Sequence, residues 1–341
     1  MLRFLTAGES HGQALVAIIE GMVSNLQIDE AFINSELERR QGGIGRSERM
    51  KLEKDKARIL SGVRGGKTIG SPICLVIDNI DSKERPEIMT KLRPGHADLA
   101  GSKKYNQSDL RNILERASAR ETASRVAAGA VFKKFLSEFG IRIKSSVLSI
   151  GGESDQSKWE DLVARTGKDG DSLGGVFEVI ISGAPVGLGS HVHPDRKLDA
   201  KLAQALMSIQ AVKGVEIGLG FEAASKRGTQ VHDEILFSDS RYSHKTNNAG
   251  GIEGGMSNGE DIVIKAAMKP IATLKQPLNS VDIRTKEPCK AHFERADVCA
   301  VHAAGVIGES AAAYVMADAF LEKFGGDSLE ETKTHFQSFM V

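Results

Sequence analysis

The sequence predicts an α+β fold, in which neighbouring strands pair antiparallel and helices pack beside them. Strand-like and helix-like segments alternate along the 341 residues, but several strand segments directly follow one another. No strand–GxGxxG–helix unit is present, which argues against a doubly wound nucleotide-binding sheet. With no linker or internal repeat in the chain, we expect one compact domain over residues 1–341, although two closely packed halves also fit this length.

The first half of the chain predicts a hairpin, a helix, two more strands and a long helix. LRFLTA and ALVAIIEG have strand patterning on either side of a polar turn, and Asp29 is a suitable N-cap for a helix over residues 29–40. ARILSGV and PICLVIDN predict two further strands. Apolar residues at helical spacing then predict one helix from about residue 108 to 139, which Gly140 ends.

The second half adds more strands and two further long helices. IRIKSSVLSIGG, GVFEVIISG and DIVIKAAM predict strands, with a short helix around Trp159 and another helix over about 195–209. The polar, Gly-rich segment 222–260 is too long for an ordinary connection, so we expect it to be functional or partly mobile. A helix of small residues is expected over about 301–324.

Composition narrows the class of protein. Lys plus Arg and Asp plus Glu both number 45, which argues against a nucleic-acid or membrane-surface partner. The three cysteines form no CxxC pair, and His191-x-His193 lacks an evident third ligand, so no metal site is expected. The N-terminus lacks a signal-peptide pattern and no apolar run is long enough for a membrane span, so we expect a cytoplasmic protein.

The segment GESHG (8–12) matches the G-x-S-x-G pattern of a hydrolase nucleophile. That motif needs a helix after the serine and an oxyanion-binding loop from an earlier strand. Only seven residues precede Gly8, and a strand-like segment follows. We therefore do not expect Ser10 to be a nucleophile.

Five further clusters are rich in glycine, in basic residues, or in both. Glycine lets backbone N–H groups approach an anion, and guanidinium groups bind phosphate or carboxylate through two hydrogen bonds. These clusters predict an anion-binding site, and they are ERRQGGIGR (38–46), LRPGHAD (92–98), LERASARETASRVAAGA (114–130), NNAGGIEGGMSNGED (247–261) and MKPIATLKQP (268–277). A sixth motif, FERADVCAVHAAG (293–305), places an Arg and an Asp before a small-residue helix.

Taken in this order, the motifs resemble the chorismate synthase family over nearly the whole chain. The most specific are GESHG, RPGHAD, SARETASRVAAGA, AVKGVEIG and AGGIEGG, together with KP and an R-x-D. The resemblance implies a β-α-β sandwich of mixed or antiparallel sheets, with helices packed between and around them. It also implies a lyase that converts 5-enolpyruvylshikimate 3-phosphate to chorismate and phosphate, in the shikimate pathway of aromatic amino-acid biosynthesis.

The family requires reduced FMN although the reaction has no net redox change, and it is usually a homotetramer. Because no NADPH-binding unit is visible, we expect NADPH to act only indirectly, through a separate flavin reductase. The alternative is a non-catalytic flavin- or anion-binding protein on the same scaffold.

By the same resemblance, His11 is expected to protonate the leaving phosphate and His96 to protonate reduced flavin near N1. Asp297 is expected to assist proton removal at flavin N5, and Ser10 to donate a hydrogen bond to substrate. Arg40 and Arg46 match positions of NADP contact in the family, but we expect them to bind substrate anions, together with Arg39 or Arg49. The positions that match FMN-binding residues of the family are Arg116, Ala117, Ser118, Gln210, Ala211, Gly254, Lys269, Pro270, Ile271, Ala272, Thr273 and Arg295.

Overall fold

A computed structural model describes residues 1–46, 54–80, 82, 87–238 and 240–340. Arg49 lies outside these residues. The strands are β1 (Arg3–Ala7), β2 (Ala14–Glu20), β3 (Ala57–Ser61), β4 (Val63–Arg64), β5 (Lys67–Thr68), β6 (Ile73–Asp78), β7 (Arg142–Ile150), β8 (Gly175–Ser182), β9 (Val212–Ile217), β10 (Ile235–Ser238), β11 (Arg241–His244), β12 (Ile252–Glu253), β13 (Met256–Ser257), β14 (Ile262–Met268), β15 (Asn279–Val281) and β16 (Pro288–Lys290). The helices are α1 (Glu30–Gln41), α2 (Asp98–Tyr105), α3 (Arg111–Ala117), α4 (Thr122–Ser137), α5 (Trp159–Lys168), α6 (Leu198–Met207), α7 (Gly228–Val231), α8 (Val301–Phe324) and α9 (Leu329–Met340).

Two four-stranded antiparallel sheets form the outer layers. The first has the strand order β1-β2-β6-β3, and the second has the order β7-β8-β14-β9. Along β2 the burial alternates, so that Leu15, Ala17 and Ile19 face the interior. In the second sheet, Val179 lies opposite Ser145 on one side and Ile264 on the other.

A layer of helices separates the two sheets. Helices α1 and α4 pack on the first sheet, α8 packs on β7 and β8 of the second, and α4 packs directly on α8. Glycine allows this close approach, because a Cβ added at Gly129 of α4 would lie 2.3 Å from Ser310 Cβ of α8. The expected sandwich, with helices between antiparallel sheets, is therefore confirmed.

The core is continuous from one sheet to the other. Phe132 and Phe135 of α4, Phe177 of β8 and Phe320 of α8 are fully buried in it. Burying each phenyl ring contributes about 1.5–3 kcal/mol relative to exposure. Together these contacts hold α4 and α8 in fixed register, and both helices begin at the same end of the sandwich, where the site lies.

One buried carboxylate neutralises cations between the layers. Glu309 of α8 is fully buried and accepts hydrogen bonds from Arg39 at 2.6 and 2.7 Å and from Lys133 at 2.6 Å. The backbone N–H and hydroxyl of Ser145 also donate to Glu309. Arg39 is thereby held within the helix layer.

The helix expected over residues 108–139 is two helices. Helix α3 ends at Ala117, a 3₁₀ turn covers Ala119–Glu121, and α4 begins at Thr122. Ser118 has extended backbone torsions, and its hydroxyl accepts a hydrogen bond from the N–H of Arg120. The apolar spacing continues across this break, so the pattern alone predicted one helix.

The segment 222–260 contains the hairpin β10–β11 and the short pair β12–β13. Besides several short strands and the one-turn helix α7, the elements not expected from the sequence include α2, β9 and α9. Their amphipathic signal is weak or interrupted by polar residues, so tertiary packing sets them.

Within the described residues, α8 is the one helix long and apolar enough to cross a membrane. In the most apolar part of α8, 78% of the residues are buried. Because α8 lies between the two sheets, we identify it as a core helix.

Candidate active site

A cavity of about 400 Å³ lies where α4 and α8 begin. Thr122 of α4 and Ala303 and Ala304 of α8 form part of its wall. Ala300, the N-cap of α8, carries no capping side chain. The N-terminal amides of both helices add partial positive charge to this end of the cavity.

Most of the residues that the sequence singled out line this cavity. His11, His96 and Asp297 come together there from three distant segments. The other expected site residues on the wall are Ser10, Arg40, Arg46, Ala117, Ser118, Gln210, Ala211, Lys269, Ile271, Ala272, Thr273 and Arg295.

Three expected flavin contacts are not on the wall. The guanidinium of Arg116 donates to the carbonyl oxygens of Thr6 and Gly8, and so holds the first hairpin instead. Gly254 lies between β12 and β13, where an added Cβ would meet no atom within 4 Å. Pro270 falls between two wall residues, Lys269 and Ile271.

Glu115 holds the GESHG turn and its imidazole. Gly8 adopts a φ of +103°, and a Cβ there would lie 2.2 Å from the carbonyl oxygen of Ala14, so this position requires glycine. Glu115 Oε2 accepts the backbone N–H of His11 at 2.7 Å, and Glu115 Oε1 lies 2.8 Å from His11 Nδ1. Burial disfavours ionisation of Glu115, but the hydrogen bonds from His11 outweigh it and lower the pKa of this carboxyl.

Asp98 holds the second imidazole in a similar way. Asp98 Oδ1 lies 2.6 Å from His96 Nδ1, and both carboxylate oxygens accept hydrogen bonds from the guanidinium of Arg93 at 2.8 Å. Asp98 is fully buried, which raises its pKa, yet the hydrogen bonds from Arg93 and His96 hold that pKa well below its usual range. Gly95, at a φ of +75°, forms the turn before His96.

Asp297 is paired with Arg46. Asp297 Oδ2 lies 2.6 Å from Arg46 Nη1, and the two side chains are 14% and 12% exposed. Arg46 Nε is buried and has no hydrogen-bond partner among the described residues. This orphaned donor can bind a further acceptor in the cavity.

Arg40 and Arg120 share one carboxylate behind the wall. Asp55 accepts two hydrogen bonds from Arg120, at 2.6 and 2.7 Å, and one from Arg40 at 3.3 Å. Burial lowers the pKa of Arg40 to about 10, against the attraction of Asp55, and the nearby Arg120 and Arg46 lower it further. Positive charge therefore exceeds negative charge here, which favours an anionic ligand.

Lys269 joins the KPIAT segment to the turn that carries His96. Its Nζ donates to the carbonyl oxygen of Gly95 at 2.9 Å. Burial lowers the pKa of Lys269, and the nearby Lys213 lowers it further. A bound anion would stabilise the charged form of Lys269 against both burial and the repulsion from Lys213.

Gln210 and Ala211 form the wall between α6 and β9. Gln210 Nε2 donates to Glu121 at 3.1 Å, while Gln210 Oε1 is buried without a hydrogen-bond partner in the described part of the chain. Ala211 has a φ of +69°, a strained conformation for a residue with a Cβ. A buried acceptor without a donor fits a ring that carries N–H groups, and reduced flavin is such a ring.

Sequence analysis did not identify the carboxylates that hold the cavity-lining side chains from outside the cavity. Glu115, Asp98 and Asp55 bind functional side chains but were not singled out. The partners of Glu115 and Asp55 become neighbours only in the fold. Arg93 and Asp98 occur within LRPGHAD, three residues before and two residues after His96, so the motif itself carried a signal. No group of three or more His, Cys, Asp or Glu in the described residues could hold a metal ion.

The fold and the cavity together define an α+β protein that brings two imidazoles and an excess of buried cations to one cavity. A sequence profile described as Chorismate synthase matches residues 2–321. The chain is 60% identical over 346 aligned residues to the chorismate synthase of Thermoanaerobacter pseudethanolicus, covering 100% of this chain and 99% of that one. The chorismate synthase of Aquifex aeolicus is 54% identical, with 99% and 97% covered.

A solved structure titled Crystal Structure of Chorismate Synthase matches with a TM-score of 0.82 and 47% identity. The match covers 99% of this chain and 97% of that chain. The chain belongs to the chorismate synthase family. It is accordingly a lyase of aromatic amino-acid biosynthesis through the shikimate pathway.

Proposed function

We propose that the cavity converts 5-enolpyruvylshikimate 3-phosphate to chorismate and phosphate. In this anti 1,4-elimination the C3–O bond to phosphate and a C6–H bond break, and the ring gains a double bond. The observation that carries the proposal is the convergence of His11, His96 and Asp297 on one cavity that also contains Arg40 and Arg46. A non-catalytic anion-binding protein would need the cations but neither imidazole, so that alternative is not favoured.

The cations suit the substrate, which carries one phosphate and two carboxylates. Arg46 has a buried Nε without a partner, and Arg40 lies among other cations that lower its pKa. Burying several negative charges requires paired cations and hydrogen bonds. We therefore assign Arg40 and Arg46 to substrate anions rather than to NADP, and Ser10 to a hydrogen bond with substrate.

The acid–base groups divide the proton transfers. His11 donates a proton to the leaving phosphate, which an imidazolium can do near neutral pH. His96 holds a proton for the flavin near N1. Asp297 would be the carboxylate that assists proton removal at flavin N5, and Arg46 would hold it in place through their ion pair.

FMN is the flavin that the site would hold. When bound and reduced, it supplies electron density to the substrate ring without net oxidation. Gln210 offers a buried acceptor, and Lys269 and Arg295 offer positive charge on the same wall. The remaining wall contacts would come from Ala117, Ser118, Ala211, Ile271, Ala272 and Thr273. Arg116, Pro270 and Gly254 stay predictions, since they do not line the cavity of a single chain.

The proposal extends to the domain organisation, the source of reduced flavin, the cellular location and the oligomeric state. Residues 1–341 form a single domain, supported by a core continuous between the two sheets. A separate reductase, using NADPH, reduces the flavin, because the chain has no dinucleotide-binding unit. The protein acts in the cytoplasm, and it is a homotetramer, as members of this family usually are.

Anaerobic turnover tests the proposal. Phosphate and chorismate should form in equal amounts with photoreduced FMN and should not form with oxidised FMN. Replacing His96 by Ala should lower kcat by about 100-fold or more, the usual contribution of an acid–base group, while FMN still binds. Equal phosphate release without reduced flavin would remove the mechanism.

A further inference from the structure

The contact between Glu115 and His11 combines two hydrogen bonds from one carboxylate to one residue. Oε2 accepts from the backbone N–H of His11 at 2.7 Å, and Oε1 lies 2.8 Å from Nδ1 of the ring. The side chains of His11 and Glu115 are only 5% and 16% exposed, so water screens this contact little. The backbone contact fixes where the residue lies, and the ring contact fixes how the imidazole is turned.

We propose that Glu115 is a positioning residue that holds His11 in the tautomer with hydrogen on Nδ1. The proton exchanged with the departing phosphate is then carried on Nε2, the opposite ring nitrogen. This inference rests on the proposed function, since it deepens the role of His11 in that reaction.

The chemistry of the two groups supports this assignment. An ionised carboxylate only accepts hydrogen bonds, so the nitrogen that faces it must be the donor. Glu115 stays ionised because the hydrogen bonds from His11 lower its pKa against the effect of burial. When His11 takes a second proton to become an acid, the same carboxylate stabilises the imidazolium.

The second imidazole shows the same arrangement, built from different segments. Asp98 Oδ1 lies 2.6 Å from His96 Nδ1, and Asp98 also binds the guanidinium of Arg93. Both imidazoles with a proposed acid–base role thus have a carboxylate at Nδ1, which leaves Nε2 as the ring nitrogen opposite that contact. At His96, Nη2 of Arg93 also lies 3.0 Å from Nδ1.

Replacing Glu115 by Gln separates positioning from simple anchoring. The backbone N–H of His11 can only donate, so the Gln oxygen must turn to it, and the Gln NH₂ group then faces Nδ1. This keeps the anchor of the turn but forces Nδ1 to accept, which disfavours the imidazolium. We expect kcat to fall about 100-fold, the lower range for losing an acid–base group, while KM and the Kd for FMN change less than about threefold.

Two more variants complete the test. Glu115→Ala removes both hydrogen bonds, so we expect a lower kcat and a lower melting temperature. Glu138→Gln is the matched control, because Glu138 pairs with Lys333 at 2.7 Å, is 24% exposed and does not line the cavity, and it should keep wild-type kcat.

The outcomes separate the two proposals. If wild-type protein releases no phosphate with reduced FMN, the proposed function fails. If wild-type protein turns over and Glu115→Gln matches its kcat, the positioning role alone fails. If Glu115→Gln lowers kcat, FMN affinity and melting temperature and also raises KM, the positioning role likewise fails, since that result describes a purely structural residue.

Discussion

Arg46 and Asp297 form an ion pair inside the cavity, with 2.6 Å between Arg46 Nη1 and Asp297 Oδ2. One partner is proposed to bind a substrate anion and the other to move a proton. An anion that binds Arg46 competes with Asp297 for the same guanidinium. Under the proposed function, binding of a substrate anion at Arg46 would therefore release the Asp297 carboxylate for proton transfer.

Replacing Arg46 by Ala should therefore weaken substrate binding. A charge-assisted hydrogen bond contributes about 1.5–3 kcal/mol, so KM is expected to rise about 10- to 100-fold. Steady-state phosphate release measures this change. Arg58→Ala is the control, because Arg58 pairs with Asp78 at 3.1 Å on the surface and should leave KM unchanged. An unchanged KM in Arg46→Ala would show that other cations hold the substrate.

Replacing Asp297 by Asn should separate catalysis from anion binding. The neutral amide can still accept from Arg46, but it no longer balances the charge of the guanidinium. We expect kcat to fall about 100-fold or more, because the amide cannot take a proton. The inhibition constant for inorganic phosphate should fall, because the anion no longer competes with a charged carboxylate for the guanidinium of Arg46. A variant with weaker phosphate inhibition would contradict the competition between the pair and the ligand.

The sequence predicted much of the fold where local signals agree with packing. Helix α1 was expected because Asp29 is an N-cap, and the Asp29 carboxylate does accept the N–H of Phe32 at 2.8 Å. Helix α8 was expected at its observed bounds, since a run of small apolar residues ends before Gly325. The break between α3 and α4 was missed. Ser118 is extended there, and Arg120 binds Asp55 and Asn79, which are distant in sequence.

In the candidate site, too, the residues within recognisable motifs were predicted and those held by long-range contacts were missed. The resemblance of the motifs to the chorismate synthase family led to His11, His96 and Asp297, and all three line one cavity. Glu115 was missed although it stands next to Arg116, because its bond to His11 spans 104 residues. Asp55 was missed for a similar reason, since its partners Arg40 and Arg120 lie 15 and 65 residues away. Sequence patterns that span only a few residues cannot reveal contacts between residues this far apart in the chain.

Asp98 should make stability depend on pH in the acid range. Its folded-state pKa lies well below its usual range, while the unfolded value is about 3.9. A carboxyl with a depressed folded pKa contributes its full stabilisation above the unfolded pKa and loses it as pH falls towards the folded one. The stability difference between wild type and Asp98→Asn should therefore be constant from about pH 5 to 8, at about 3–5 kcal/mol for a broken buried pair, and shrink below about pH 4.

Urea unfolding at several pH values measures this difference. Asp155→Asn serves as the control, because the Asp155 carboxylate also accepts local hydrogen bonds but is 47% exposed. Its replacement should change stability little at any pH. If the difference in unfolding free energy between wild type and Asp98→Asn grows as the pH falls, the Asp98 carboxylate does not stabilise the fold in this way.

The contact between Gly129 and Ser310 should set both stability and activity. A Cβ at Gly129 would lie 2.3 Å from Ser310 Cβ and 2.6 Å from Ser310 Oγ, so Gly129→Ala must push α4 away from α8. Overpacking of this kind costs about 1–3 kcal/mol. Because both helices begin at the cavity, we also expect a lower kcat/KM.

A control and a second substitution make this last prediction specific. Gly214→Ala in β9 would place its Cβ 3.6 Å from Ala267 Cβ, an ordinary contact, and should change stability by less than about 0.5 kcal/mol. Adding Ser310→Gly to Gly129→Ala removes the side chain that clashes, so the double variant should recover part of the lost stability and activity. Strictly additive losses in urea unfolding would instead show that the two positions are not coupled, and that the spacing of α4 and α8 is set elsewhere.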